Sequence, residues 1–97
     1  MILYGAPLSP YVRKVLAFVA EKGMKIELVP VGMGDPNPDF AACSPFRKMP
    51  GFRDGDFTIS DSTAIVTYLE AKQPEPAMIP ANAADRARTV WFDEFAD

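Results

Sequence analysis

Apolar positions along this 97-residue chain change period several times, and each change marks an element. Met1-Ile2-Leu3-Tyr4 is a short apolar run halted by Gly5-Ala6-Pro7, the pattern of a brief buried strand. Ser9-Pro10 then reads as a helix start, a hydroxyl cap followed by proline at the first helical position. Behind it Val12, Val15, Leu16 and Val19 recur at helical spacing, and Gly23 after Glu21-Lys22 supplies the stop. Ile26 and Leu28 alternate with Lys25 and Glu27 in a second strand that must end near Pro30. Two strands flanking one helix imply a parallel pair with a right-handed crossover.

Pro30, Pro36, Pro38, Pro45 and Pro50 leave room only for a short helix around Asp39 to Ala42. Gly51-Phe52-Arg53 and Phe57-Thr58-Ile59 flank Asp54-Gly55, a hairpin turn signal. Ser60, Asp61 and Ser62 each offer a cap for a third helix, whose buried face is Ala64, Ile65, Tyr68 and Leu69 and which Pro74 closes. The predicted order is β-α-β-α-β-β-α, an α/β fold, over residues 1–73. A proline-stiffened linker follows at 74–81, and Asn82 caps a last helix over 82–97. Ala84, Ala87, Trp91 and Phe95 share one face of that helix, which meets no stop signal before Asp97, so the chain reads as cut rather than finished.

Composition narrows the function more than the fold. Apolar residues at 48% and charged residues at 24% are those of an ordinary small globular domain with one compact core. A net charge of −3 argues against a general binder of nucleic acid or anionic membranes. The absence of histidine removes Ser-His-Asp and Cys-His catalysis and most zinc sites. A single cysteine, Cys43, allows neither an internal disulfide nor a Cys-x-x-Cys redox pair. There is no basic leader followed by a long apolar stretch, so a reducing cytoplasm is the expected location. Whatever chemistry the chain performs, its reactive group must be borrowed.

Ser9 is the first candidate. As a cap it accepts a first-turn N–H, yet a hydroxyl has capacity left to donate to an anion held at the positive end of the helix. Asp61-Ser62 offers a second such helix end, suited to a carboxylate, with Asp61 available to an ammonium. Met49-Pro50 precedes a strand where a cis bond would fit a tight turn, although few X-Pro bonds are cis. Arg47-Lys48 is the basic pair beside these elements, and such pairs are usually solvated surface. Cys43, with no basic helix end or histidine beside it, reads as an unreactive packing residue. Tyr4 and Tyr11 read as core or rim residues, and Trp91 as a packing residue.

Together these stretches resemble a family. Leu3-Tyr4-Gly5-Ala6-Pro7-Leu8-Ser9-Pro10-Tyr11-Val12-Arg13-Lys14-Val15, Ser44-Pro45-Phe46-Arg47-Lys48-Met49-Pro50, Asp54-Gly55-Asp56 and Asp61-Ser62-Thr63-Ala64-Ile65 are similar to the glutathione S-transferase N-terminal domain over residues 1 to about 80. Residues 82–97 resemble the first helix of that family's all-helical C-terminal domain. The resemblance implies a thioredoxin-like fold, a cytoplasmic homodimer engaged in detoxification, and no metal. Glutathione would be the cosubstrate and an electrophilic small molecule the other substrate. Ser9 would hold the glutathione sulfur as thiolate, in a serine-type site. Met49, before cis-Pro50, would pair with the cysteinyl backbone, Asp61 and Ser62 would hold the γ-glutamyl end, and Lys48 would face the glycyl carboxylate. The 97-residue form alone would be nearly inactive, because the electrophile pocket belongs to the C-terminal domain.

Some positions depart from the family. Asp35-Pro36 stands where several branches have a His-Lys pair, Asp61 replaces a usual glutamate, and Gly51 replaces a common branched apolar residue. Ser9-Pro10-Tyr11 also resembles the Cys-Pro-Tyr start of glutaredoxins, but serine cannot form a mixed disulfide. Two other readings stay open: a non-catalytic transferase-like module that binds glutathione or a protein, and a glutathione-dependent isomerase.

Overall fold

A computed structural model describes every residue except Met33, Arg47, Pro80, Ala81 and Asp97, with the backbone alone for residues 92–96. The elements are β1 (Ile2–Tyr4), α1 (Pro10–Lys22), β2 (Glu27–Val29), α2 (Pro38–Cys43), β3 (Gly51–Asp54), β4 (Phe57–Ser60), α3 (Ser62–Lys72) and α4 (Ala83–Ala96). The four strands form one sheet in the order β2-β1-β3-β4. β1 runs parallel to β2, with Leu3 opposite Leu28, and antiparallel to β3, with Leu3 opposite Phe52. This is the thioredoxin-like β-α-β-α-β-β-α arrangement, followed by one more helix.

Local chemistry accounts for the boundaries. Ser9 is extended, its Oγ accepts from Val12 N–H at 3.4 Å, and Pro10 opens α1. Gly23 closes it at φ 69, where its N–H and that of Met24 reach back to Ala20 and Val19 carbonyls. Asn37 starts the short α2 by accepting from Asp39 and Phe40. The hairpin turn lies one residue later than the sequence signal suggested. Asp54 still pairs with Phe57, and Gly55 at φ 61 takes the turn with Asp56, because a two-residue turn of this hand needs positive φ.

Alternation along β1 sorts the core onto two faces. Leu3 and Phe52 point toward α1 and α3, where they pack with Val12, Val15, Val19, Ile65, Val66 and Leu69. Tyr4 points the other way and packs with Val31, Phe40 and Cys43 under α2. Gly51 lies opposite Tyr4 on this second face. A Cβ there would stand 3.0 Å from Cys43 Cβ and 3.3 Å from Phe40 Cδ1, so Cys43 and the Phe40 ring together leave little room for a side chain at position 51.

A polar network closes the far end of the α1–α3 pair. Lys22, with its side chain fully buried, lies 2.5 Å from Glu70 and also donates to the carbonyls of Gln73 and Pro76. Glu70 accepts from Met78 N–H at 3.0 Å and Ile79 N–H at 2.7 Å. Gln73 Nε2 returns a bond to the Lys22 carbonyl at 2.7 Å. Burial of Glu70 would raise its pKa, but the Lys22 ammonium and the two linker N–H groups outweigh that, and the net shift is downward. The stretch that composition marks as a stiff linker is therefore held by a clamp as well as by its prolines.

Asn82 caps α4 through Ala84 and Asp85 N–H, as its side chain suggested. Trp91, which the sequence suggests as a packing residue, is 52% exposed, and the Arg88 guanidinium lies 5.7 Å from its ring centroid. Ala84 and Ala87 on the same face are exposed, and the Phe95 side chain lies outside the described residues. Among the described residues no helix is long and apolar enough to cross a membrane.

Candidate functional site

Opposite the clamp, the first turns of α1 and α3 and the segment before β3 border a cleft of about 490 Å³. Tyr11, Ser44, Phe46, Lys48, Met49, Pro50, Ser60, Asp61 and Ser62 line it. Five of the six residues singled out from sequence, Lys48, Met49, Pro50, Asp61 and Ser62, are thus brought together.

Asp61 and Ser62 occupy the junction of β4 and α3. Asp61, rather than Ser60 or Ser62, is the cap: its Oδ2 accepts from Ala64 N–H at 3.0 Å. Its backbone sits at φ 80, ψ 123, a conformation L residues rarely adopt and one that costs about 1–3 kcal/mol. Strain of that size persists where the surroundings fix it, which makes the junction a built feature. Ser62 is 3% exposed and lines the cleft. Among the described residues no buried side-chain oxygen or nitrogen lacks a hydrogen-bond partner, so the site carries no stranded polar group.

The opposite wall is the segment from α2 to β3. The Met49–Pro50 peptide is cis, as the family resemblance implies. Pro50 is buried, and Met49 Sδ accepts from Ala6 N–H at 3.4 Å, which ties this wall to the turn leading into Ser9. Gly5 lets the turn lie against α1, because a Cβ there would stand 2.3 Å from Val12 Cγ2, while Met49 Cβ at 3.5 Å is at ordinary contact distance. Lys48 is exposed on the rim, and Arg47, its partner in the basic pair, lies outside the described residues. Asp35, of the Asp35-Pro36 pair, accepts from Asn37 N–H at 2.9 Å, ahead of α2.

Ser9 stands apart. Among the described residues it does not line the cleft, although Tyr11 from the same helix start does. Its Oγ accepts the long bond from Val12, and no described group accepts from its O–H. The hydroxyl therefore retains a donor at the positive end of α1. Cys43 is 3% exposed at the end of α2. Burial pushes its thiol pKa up, against a smaller opposing influence of Arg53, so it is the packing residue that sequence suggested.

Four lining residues are not among the site residues singled out from sequence: Tyr11, which reads as core or rim, and Phe46, Ser44 and Ser60. Ser44 is 2% exposed and its Oγ accepts from Lys48 N–H at 3.0 Å. The available signal was a small hydroxyl before proline, four residues ahead of an amide, which is weak. Ser60 had been read only as a possible cap. Among the described residues no group of three or more His, Cys, Asp or Glu could hold a metal ion.

Comparison with known proteins gives the arrangement a context. Residues 3–77 match the family described as Glutathione S-transferase, N-terminal domain. Glutathione S-transferase 3 of Zea mays is 38% identical over 96 residues, which cover 94% of this chain and 43% of that protein. A Tau class glutathione S-transferase from mango, Mangifera indica, superposes with a TM-score of 0.87 at 26% identity, over 97% of this chain and 44% of that one. A maleyl pyruvate isomerase, described as a bacterial glutathione S-transferase in Zeta class, superposes with a TM-score of 0.78 at 30% identity, over 91% and 43%. The chain spans less than half the length of these relatives.

Proposed function

The chain belongs to the glutathione S-transferase family through its N-terminal domain, and on that premise we propose that it is the glutathione-binding part of a transferase with a serine-type site. The observation that carries this reading is Ser62, whose hydroxyl-bearing side chain lines the cleft at the first turn of α3. A carboxylate accepts from such a donor, and the N–H groups of the first turn of α3 favour the same charge. The γ-glutamyl end of glutathione carries that carboxylate beside an ammonium, which Asp61 would take. Met49 would offer its backbone to the cysteinyl unit, as an added strand does, next to Pro50. Lys48 would face the glycyl carboxylate.

The reactive sulfur then arrives with the ligand. A free thiol has a pKa near 8.5, so most of it is protonated at neutral pH. Ser9 would donate its O–H to the sulfur, and the α1 terminus would add its partial positive charge. Lowering the pKa by one unit takes about 1.4 kcal/mol of preference for thiolate, which one charge-assisted hydrogen bond can supply. The proton leaves to solvent. The thiolate attacks an electrophilic carbon and forms the C–S bond, while the displaced electron pair departs with a leaving group or moves to the adjacent atom.

In the whole protein α4 would begin a helical domain that completes the electrophile pocket, and a homodimer in the cytoplasm would be the working form. The 97-residue chain would bind glutathione but conjugate it slowly. A second reading, a glutathione-dependent isomerase, draws support from the likeness to maleyl pyruvate isomerase and would use the same sulfur. Calorimetry tests the binding: Ser62→Ala and Asp61→Ala should each weaken glutathione about tenfold or more, and unchanged affinity in both would sink the reading. Ultraviolet absorption of the bound thiolate tests the chemistry, because Ser9→Ala should bind glutathione yet lose its ionisation at neutral pH.

A further inference from the structure

We infer that Ser44 is a positioning residue, one that fixes Lys48 at the cleft rim and so selects ligands with a carboxylate at that end; this rests on the glutathione reading above. Three observations carry it. Ser44 closes α2 by donating its own N–H to the Phe40 carbonyl at 2.9 Å, and its side chain is 2% exposed, so its place is set by the fold. From there its Oγ reaches forward to Lys48 N–H at 3.0 Å. Of the described residues in this stretch, Pro45 and Lys48 are exposed and Phe46 is 86% exposed.

Lys48 is the described cation among the residues that line the cleft, and Asp61 the described anion. A flexible lysine on an unanchored segment would sample many positions and lose side-chain and backbone freedom on meeting a ligand. Anchoring its amide removes part of that cost before the ligand arrives. The effect belongs to the Lys48 end alone, because Met49 and Pro50 are held independently by Ala6 N–H and by burial. Ser44 thereby acts on recognition of one end of the ligand and leaves the other end untouched.

Calorimetry on the 97-residue chain with two ligands tests this: glutathione, and γ-glutamylcysteine, which lacks the glycyl carboxylate. Ser44→Ala should weaken glutathione about three- to tenfold and change γ-glutamylcysteine by less than about twofold. Lys48→Ala should show the same pattern, the double variant should be no weaker than Lys48→Ala alone, and Ser44→Thr should restore binding. Equal losses for both ligands, or none for either, would overturn the inference. Amide hydrogen exchange at Lys48 separates this from failure of the function itself. If the parent chain does not bind glutathione, the proposed function falls, while faster exchange at Lys48 in Ser44→Ala still supports positioning and unchanged exchange overturns it.

Discussion

The two ends of the α1–α3 pair are built from similar polar material and use it in opposite ways. At the Lys22–Glu70 end the ammonium and carboxylate are matched to each other and to backbone groups of the linker. At the cleft end Ser62 is as little exposed as Lys22, yet it lines the cleft and among the described residues its side chain takes part in no such network. The Lys14–Thr63 hydrogen bond, 3.2 Å, joins the helices near that open end. The difference separates stability from binding along one pair of helices. A satisfied buried pair must stay satisfied for the chain to fold, whereas a hydroxyl that lines a cleft is available to a ligand.

That division can be broken at either end. The largest effect is expected for Glu70→Ala, which strands the Lys22 ammonium and frees two linker N–H groups. Urea denaturation should report a loss of about 3–5 kcal/mol, and replacing both partners by methionine should recover most of it. If Glu70→Ala unfolds at the parent midpoint, the clamp does not hold the fold.

Acid should act more gently and in one direction. Burial works against Glu70, but Lys22 and the linker amides prevail and hold its pKa below the usual value. Hydrogen bonds from Lys72 and then Tyr68 lower that of Asp54. Groups lowered by folding stabilise fully above their unfolded values, about 4.3 for glutamate and 3.9 for aspartate, and lose that contribution as pH falls through the folded values. Urea midpoints measured from pH 7 downward should therefore hold nearly level from these groups until about pH 5 and fall below it. Glu70→Gln should start lower and fall less steeply. A parallel fall in both proteins would remove Glu70 from the account.

The smallest expected effect sharpens the contrast most. Ser62→Ala removes a hydroxyl that lines the cleft, so the stability of the ligand-free chain should change by less than about 0.5 kcal/mol. A loss beyond about 2 kcal/mol would mean that the hydroxyl serves the fold.

What was legible in the sequence is what local chemistry decides. Ser9, Asn37, Asp61 and Asn82 cap their helices through N–H groups two or three residues away, and Gly23 and Gly55 take the positive φ their turns need. The walls of the cleft could be read because their motifs are contiguous. Pairings between distant segments could not. Lys22 continues the apolar row of Val12, Val15 and Val19, and Glu70 follows one turn after Val66 on α3. A charged residue at an apolar position, matched by an opposite charge on another helix, was the signal available for the clamp. Ser44 gave no comparable sign, since its partner is a backbone amide. Trp91 is about half exposed although an aromatic residue suggests burial, and nothing in its own helix decides whether a neighbour is there.

Cys43 has a consequence beyond packing. It is the chain's one cysteine, buried at the end of α2, where burial raises its thiol pKa. A catalyst that ionises a visiting sulfur in the presence of alkylating compounds risks derivatising itself if its own sulfur is equally reactive. Here the visiting thiol would be sacrificial and the resident one sheltered, so turnover need not inactivate the protein that promotes it.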